Sequence, residues 1–402
     1  MLQSNRIPLF YIVTAIFWFS LYTYVPYVSP YSELLGADLR FIGLIVGSYG
    51  FTQMVIRFPL GILSDRLGRR KIFILAGLLF TAISGFIVYI APHPYTMLLS
   101  RSLAGVAAAS WVTFAILGAS YYPPHEATRS AGYLNAANSA GRLVAFLAGG
   151  LFAQWVGVPY AFLLAGAAGI IGLIAGLFIT ETKPNNTKAT SALKCGKNKA
   201  KKTAPPTLAE LLAIARDKQL LCASFLAILT QYISFATIFG FTPLFAYGLQ
   251  ASQFQLGMLG MASAVPGLIA SPLAGTWLPR KIGIRNTIAA GFIMTAIGCV
   301  LMSAVTNIWQ LFTVQVFIST GAVVAYTLLM GLSIRDIPDN KRAAAMGFFQ
   351  AVYGVGMFLG PFVMGWLGHG LGLTAAFAVT GSVGVVGLVA VIVFARRGYM
   401  AS

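Results

Sequence analysis

Twelve apolar runs, separated by short polar turns, dominate this chain of 402 residues. Each run is about 20 residues or longer, which is enough for a helix to cross a hydrocarbon core about 30 Å thick. Only 9% of the residues are charged and 58% are hydrophobic, whereas soluble proteins carry about 25% charged residues. The sequence therefore predicts an all-α polytopic membrane protein, with spans near residues 7–31, 40–63, 71–91, 96–120, 130–155, 158–180, 219–245, 253–278, 285–305, 309–332, 343–368 and 373–395.

The first apolar run, which begins at Ile7, predicts a retained helix rather than a cleaved signal. It is too long for the apolar region of a signal peptide, and it lacks a cleavage site of small residues. The three cysteines have no paired spacing, so neither a disulfide nor a metal site is expected. The three histidines lie in turns, and no nucleophile–base pair occurs at membrane depth, so we expect neither enzyme activity nor a cofactor.

The chain has a net charge of +18, and its basic residues are unevenly distributed. All Lys and Arg except Arg40, Arg57, Arg101 and Arg142 lie near the termini, in alternate turns or in the central polar stretch. This is the positive-inside bias of a membrane protein, not the basic stripe of a nucleic-acid-binding surface. It predicts a multi-pass protein of a bacterial-type cytoplasmic membrane, with both termini cytoplasmic and no nucleic-acid partner.

The two halves of the chain resemble each other at a period of about 215 residues. Pro59 and Gly61 at the end of helix 2 recur as Pro272 and Gly275 at the end of helix 8. Parallel six-helix repeats, related by an axis along the membrane normal, are a known transporter architecture. We expect an N-terminal six-helix bundle at residues 1–180 and a C-terminal one at 219–402. Residues 181–218 are expected to form a cytoplasmic linker with a short amphipathic helix, or else an extension of helix 7.

The turn between helices 2 and 3 reads GILSDRLGRR from Gly61 to Arg70. Its glycines favour a tight turn and close approach of a neighbouring helix, and Asp65 can accept hydrogen bonds from a helix N-terminus. The segment resembles the signature loop of the major facilitator superfamily, G-x-L-x-D-R-x-G-R-[RK]. The resemblance implies two pseudo-symmetric six-helix bundles, and a cytoplasmic latch that holds them together when the cavity faces outward. The latch residues would be Gly61, Asp65, Arg66, Gly68, Arg69 and Arg70; the alternative is a basic cluster that only sets topology.

Helix 4 carries an arginine followed by small residues, from Arg101 to Ala109. The pattern resembles the R-x-x-x-G-x-x-x-A segment of the superfamily's proton-coupled drug exporters. A guanidinium at full depth in the bilayer costs at least about 2.5 kcal/mol, so Arg101 should face the protein interior unless its side chain extends to the membrane surface. The resemblance implies that Arg101 couples proton and substrate binding, and that Gly105 allows close helix packing.

Helix 5 carries a polar stripe of Asn135, Asn138 and Arg142 on one face. Arg142 lies near the middle of the span, so the stripe is expected to line a central cavity and contact the substrate. A buried structural hydrogen-bond network is the alternative. Further candidates for the cavity wall are Trp111 in helix 4, Gln231 in helix 7, Gln315 in helix 10 and Gln350 in helix 11.

The same helix departs from the exporter pattern. Exporters of the superfamily carry G-x-x-x-G-P-x-x-G-G here, whereas this chain has Ala145 and Phe146 at the Gly-Pro positions, followed by Gly149 and Gly150. The intact glycine–proline pair lies instead in helix 11, with packing or kink positions at Gly356, Gly360 and Pro361. This departure puts proton antiport of the drug-exporter kind in doubt.

None of the nine Asp and Glu residues lies at mid-membrane depth. Arg57, Arg101 and Arg142 therefore leave a net positive interior, although Arg57 is close enough to the cytoplasmic end to reach the surface. Unpaired arginines favour a substrate with a carboxylate or another anionic group.

The leading hypothesis is a secondary transporter that works by alternating access and exports amphiphilic drugs or metabolites, driven by the proton gradient. The rival within that class is an organic-anion or carboxylate transporter, either importer or antiporter. From another class, an intramembrane enzyme or receptor is disfavoured. The expected partners are a small-molecule substrate and the lipid bilayer, and the protein is expected to be a monomer.

Overall fold

The computed structural model describes residues 6–123, 126–181, 217–338 and 341–399, and within them it contains helices and turns but no strand. Twelve of these helices are long and apolar enough to cross a membrane. We number them in chain order: α1 (Ile7–Leu34), α2 (Leu39–Leu67), α3 (Arg70–Ile90), α4 (Pro94–Ser120), α5 (Ala127–Trp155), α6 (Val158–Leu177), α7 (Lys218–Gly248), α8 (Gln253–Ile282), α9 (Ile284–Ala304), α10 (Ile308–Arg335), α11 (Arg342–Leu371) and α12 (Leu373–Arg396).

The predicted all-α membrane fold is confirmed, and every predicted span coincides with one helix to within a few residues. The basic end of the bundle is the one where α2 ends at Leu67, α3 begins at Arg70 and α12 ends at Arg396. The far end is the opposite one, where α2 begins at Leu39 and α11 ends at Leu371. The predicted linker and amphipathic helix fall almost entirely on residues 182–216, outside the described residues, and the assignment of domain boundaries stays a prediction.

Two helices are interrupted at related positions near the far end. α1 contains a 3₁₀ turn at Val25–Tyr27, and α7 contains a π-helical turn at Thr237–Phe241. Proline has no N–H to donate to the preceding helical turn; Pro26 lies within the first interruption, and Pro243 follows the second. Pro26 and Pro243 lie 217 positions apart in the numbering, close to the repeat period, so a proline accompanies the interruption in each half.

Both interruptions lie where the halves meet. The Ser29 hydroxyl donates to the carbonyl oxygen of Gly240 in the π turn, at 2.5 Å, which joins the two halves at this point. The Tyr27 hydroxyl donates to the carbonyl oxygen of Gln253 at 3.1 Å. These bonds join α1 to α7 and α8 at the far end.

α2 and α11 pack tightly at the far end and separate toward the basic end. A Cβ added at Gly43 would collide with the carbonyl oxygen of Pro361 and would stand 3.2 Å from the Cα of Gly365. Near the basic end of the same two helices, a Cβ added at Gly61 or at Gly347 would meet no atom within 4 Å. The close approach predicted at Gly61 is thus wrong for this conformation.

α5 and α8 also pack tightly at the far end and separate toward the basic end. A Cβ added at Gly257 would lie 2.6 Å from the carbonyl oxygen of Phe146 and 2.8 Å from the Cα of Gly150. Toward the basic end, Cβ atoms added at Gly132 or Gly275 would meet open space. Both helix pairs that join the halves are therefore closed at the far end and apart at the basic end.

Candidate substrate site between the two halves

Arg101 of α4 is buried inside the first half. Its side chain is 4% exposed, and its guanidinium carbon lies 4.7 Å from the ring centroid of Tyr49 and 5.9 Å from that of Tyr24. The Nε and Nη1 atoms are buried and have no hydrogen-bond partner. The expectation that Arg101 faces the interior is confirmed, and extension to the surface is excluded. Cation–π contacts of this kind contribute about 0.5–2 kcal/mol. They provide no hydrogen-bond acceptor for the N–H groups at Nε and Nη1.

The polar stripe on α5 becomes more enclosed toward the centre of the membrane. Asn135 is exposed, whereas Asn138 and Arg142 are half-buried. The Asn138 Oδ1 and Arg142 Nε atoms are buried without a hydrogen-bond partner. The guanidinium carbon of Arg142 lies 4.4 Å from the ring centroid of Tyr22. These unpaired groups do not form the structural hydrogen-bond network that was the alternative interpretation.

Tyr22 and Tyr49 bring the two arginines to one place. The guanidinium of Arg142 lies over the ring of Tyr22, and that of Arg101 lies over the ring of Tyr49. Both tyrosines line a small cavity together with Arg101. Its other walls include Phe235 of α7, which stacks on Tyr49 at a centroid distance of 6.0 Å. The cavity therefore combines a guanidinium with aromatic surface from both halves.

Arg57 of α2 completes the group, and its position was not expected. Its side chain is 6% exposed and does not reach the membrane surface. Its Nη1 donates to Gln350 Oε1 at 3.1 Å and to the Tyr353 hydroxyl at 3.2 Å, both on α11. Arg57 thus bonds to the opposite half just before α2 and α11 separate. We call Arg57, Arg101 and Arg142 the arginine cluster.

No carboxylate neutralises the arginine cluster among the described residues. The ion pairs found there join Arg129 to Glu126, Arg335 to Asp336 and His369 to Asp38, all at the ends of helices. Arg57 Nε is also buried without a partner. An unpaired buried charge costs several kcal/mol, so the site is chemically suited to a ligand that brings negative charge and apolar surface together.

The remaining candidates for the cavity wall are distributed differently. Gln350 belongs to the site through its bond to Arg57. Trp111 packs edge-on against Trp18 at a centroid distance of 5.1 Å. Gln315 is fully buried in α10 with an unpartnered Oε1. Trp18 in turn packs on Tyr22, the ring that contacts Arg142, so Trp111 reaches the arginine cluster only indirectly. No described contact links Gln315 or the half-buried Gln231 to the cluster.

The chain matches a known protein family over most of its length. The Major Facilitator Superfamily model matches residues 10–252 and 224–400. The chain belongs to this superfamily. Its relatives include an uncharacterized MFS-type transporter of Methanocaldococcus jannaschii, which is 26% identical over 87% of each chain. The class E tetracycline resistance protein of Escherichia coli is 24% identical over 81% of this chain and 78% of its own length. The multidrug resistance protein MdtG of Salmonella schwarzengrund is 25% identical over 89% and 87%.

Solved structures show the same superfamily fold. An inward-facing, occupied bacterial homolog of the human lysosomal transporter Spinster superposes with a TM-score of 0.81, at 14% identity over 99% of this chain and 98% of that one. A point mutant of the nucleoside transporter NupG gives a TM-score of 0.77 at 16% identity, over 97% and 99%.

The superfamily's signature loop forms the turn between α2 and α3 at the basic end. Gly68 ends α2 in the left-handed conformation, at φ +62°, which an L-residue with a side chain rarely adopts. Arg66 and Arg69 are exposed, while Arg70 donates from Nη1 to the Ser64 hydroxyl at 2.8 Å and from its backbone N–H to the Glu181 carboxylate. The side chain of Asp65 lies outside the described ones, so its role in a latch stays a prediction.

Several glycines predicted for helix packing do lie at close helix contacts. A Cβ at Gly105 would collide with the carbonyl oxygen of Tyr49, and one at Gly149 with that of Thr23. Gly150 faces α8 across the halves, where an added Cβ would lie 3.5 Å from the Cα of Gly257. In α11, Gly356 and Gly360 lie against the backbone of α7, and Pro361 lies within the helix, opposite Gly43.

Two members of the site were underrated or missed by sequence reasoning. The sequence places Arg57 close enough to the cytoplasmic end to reach the surface, and it gives no indication that Tyr49 belongs to the site. The packing of α2 against α11 explains the position of Arg57. It brings Gln350 and Tyr353 of α11 within hydrogen-bond distance of the guanidinium. Tyr49 lies eight residues before Arg57, hence about two turns away on the same face of α2.

Proposed function

We propose that this superfamily member is a secondary transporter, that its substrates are amphiphilic organic anions, and that the arginine cluster holds the anionic group. The observation that carries the proposal is the set of buried, unpartnered guanidinium atoms of Arg57, Arg101 and Arg142, which have no ion pair with a carboxylate in the part of the chain that the structure describes. Tyr22 and Tyr49 supply apolar surface beside those charges. Charge-assisted hydrogen bonds from arginine to a carboxylate are about twice as strong as neutral ones.

The proposed mechanism is alternating access between the two halves. The basic end is taken as cytoplasmic from the positive-inside rule, so the present conformation is open to the cytoplasm. Closure at the far end rests on the packed backbones at Gly43 and Gly257. Opening that end would require α2 to separate from α11 and α5 from α8, while the same helices approach at the basic end. The protein is proposed to act as a monomer.

A second candidate is proton-driven export of amphiphilic drugs or metabolites. It is favoured by the similarity to a tetracycline resistance protein and a multidrug resistance protein and by the exporter-like segment that begins at Arg101. The two candidates differ in the charge of the substrate and in the source of energy.

Transport into everted membrane vesicles separates the candidates. The vesicles are preloaded with unlabelled 1-naphthylacetate, and uptake of the labelled anion and of the cationic dye ethidium is measured with and without an imposed pH gradient, in wild type and in Arg142→Gln. We expect 1-naphthylacetate uptake that falls about 10–100-fold in the variant, because a hydrogen bond to a charged group contributes about 1.5–3 kcal/mol. Arg129→Gln is the matched control, since Arg129 lies on the same helix and is exposed at the basic end. Ethidium uptake that needs the pH gradient and is indifferent to Arg142→Gln would instead support the second candidate.

A further inference from the structure

The arginine cluster has a positive charge that the protein does not balance. Arg101 has two buried unpartnered nitrogens, and Arg57 and Arg142 have one each. Their other contacts are neutral: the rings of Tyr22 and Tyr49, the Gln350 amide and the Tyr353 hydroxyl are uncharged partners. Ring faces and neutral dipoles offset only part of the cost of taking a guanidinium out of water.

Among the described residues, no acid or imidazole lies at the depth of the cluster, where a change of its protonation could alter this balance. All nine Asp and Glu residues lie in turns, in the central stretch or at helix ends. His93 and His369 lie at the far end, where α4 begins and α11 ends. The titratable groups that surround the cluster are tyrosines, namely Tyr22, Tyr24, Tyr49, Tyr326 and Tyr353. Proton binding therefore provides no means of neutralising the cluster.

The transport cycle must pass through a state in which the cluster is sealed from water at both ends. In the present conformation the far end is closed and the basic-end halves of α2, α5, α8 and α11 stand apart. Closing the basic end would enclose the cluster completely. Arg57 lies at the point where α2 and α11 begin to separate, so its bonds to Gln350 and Tyr353 must rearrange in the same movement.

We propose that the carrier is an obligate exchanger of organic anions, which crosses between its two open states only with an anion bound to the arginine cluster. The inference rests on the proposed function, because it takes the ligand of the cluster to be the transported anion. A loaded carrier encloses a neutralised site, whereas an empty one would enclose uncompensated guanidinium groups. Net flux is therefore blocked, because it requires the empty carrier to return. Exchange proceeds, because the carrier is loaded in both directions.

The flux test uses purified protein in liposomes loaded with tritiated 1-naphthylacetate. Efflux is followed into medium that contains unlabelled 1-naphthylacetate, the neutral 1-naphthylacetamide, or gluconate as an impermeant salt. We expect efflux against external 1-naphthylacetate to exceed the other two by a factor on the order of 100. An imposed pH gradient should not replace the external anion. Equal efflux into all three media, or efflux driven by the pH gradient alone, would overturn the exchange proposal.

Two arginine variants locate the effect. Arg57→Gln removes one charge from the cluster, and we expect the ratio of exchange to net efflux to fall at least about 10-fold. Arg129→Gln removes a charge from the exposed basic end of α5, where Arg129 pairs with Glu126, and should leave the ratio unchanged. Equal effects of the two variants would contradict a role for the cluster.

A second measurement needs no substrate. Dyes at Leu34→Cys and Thr306→Cys, which lie at the far end in opposite halves, report opening of that end by single-molecule energy transfer in a background without native cysteines. The empty wild type should interconvert at least about 10-fold more slowly than empty Arg57→Gln. Equal rates would refute the exchange proposal even if anion transport is confirmed. Absence of any 1-naphthylacetate exchange, with slow interconversion of the empty wild type, would instead count against the proposed function.

Discussion

Gly43 offers a direct way to disturb closure of the far end. A Cβ at this position would collide with the Pro361 carbonyl oxygen and would lie 3.2 Å from both the Pro361 carbonyl carbon and the Gly365 Cα. All three atoms are backbone atoms, which cannot rotate away as a side chain can. Gly43→Ala should therefore destabilise the present conformation relative to the one that is open at the far end.

The size of the effect follows from overpacking. Inserting a methyl group into a packed contact costs about 1–3 kcal/mol, and a difference of that size shifts a two-state equilibrium about 5–150-fold. Spin-label distances between Leu34→Cys and Thr306→Cys report the far end, and those between Leu67→Cys and Thr276→Cys report the basic end. We expect the first distance to lengthen and the second to shorten in Gly43→Ala.

The matched control is Gly347→Ala on α11. A Cβ there meets nothing within 4 Å, so both distance distributions should stay as in wild type. The melting temperature of each variant shows whether it remains folded. A folded Gly43→Ala protein with unchanged distances would refute the argument that the α2–α11 contact at Gly43 holds the far end closed.

Two further predictions concern contacts at the two ends. Arg40→Ala removes a guanidinium 4.7 Å from the Trp366 ring, across the halves at the far end; the loss of about 0.5–1 kcal/mol should shift the same distances in the same direction, about 2–5-fold. Glu181→Gln removes the charged acceptor of the Arg70 backbone N–H at the start of α3. It should lower stability by about 0.5–2 kcal/mol, seen as a lower melting temperature; an unchanged melting temperature would contradict the role of Glu181 at the start of α3.

The helices themselves were predictable because bilayer length and polar turns leave few alternatives. The helix containing the second span extends beyond the predicted 40–63, to Leu67, because its last turn carries Arg66 out of the apolar region and Gly68 then ends it. The interruptions near Pro26 and Pro243 were not predicted, although proline lacks the N–H that a regular helix needs. The length and the ends of each helix are thus decided by residues within the helix and its adjacent turns.

The arrangement of the site was less predictable, because it depends on which helices meet. Arg101 and Arg142 were identified from their depth in the membrane, which one sequence reveals. The bonds of Arg57 depend on α11, which lies about 300 residues away along the chain, a distance over which local pattern rules carry no information. Gly61 shows a different limit, since the motif does not specify how far α2 lies from its neighbours at the basic end, where a Cβ at Gly61 would meet no atom within 4 Å.

The central claim is that the arginine cluster binds the negative charge of the substrate. Titration calorimetry with purified protein tests it most directly, using 1-naphthylacetate, 1-naphthylacetamide and 1-(1-naphthyl)ethylamine, which share a ring system and differ in charge. We predict that the carboxylate binds wild type at least about 10-fold more tightly than the amide, that the amine binds most weakly, and that Arg101→Gln removes most of the carboxylate's advantage. Equal affinities for the three probes, or tighter binding of the amine, would contradict the claim.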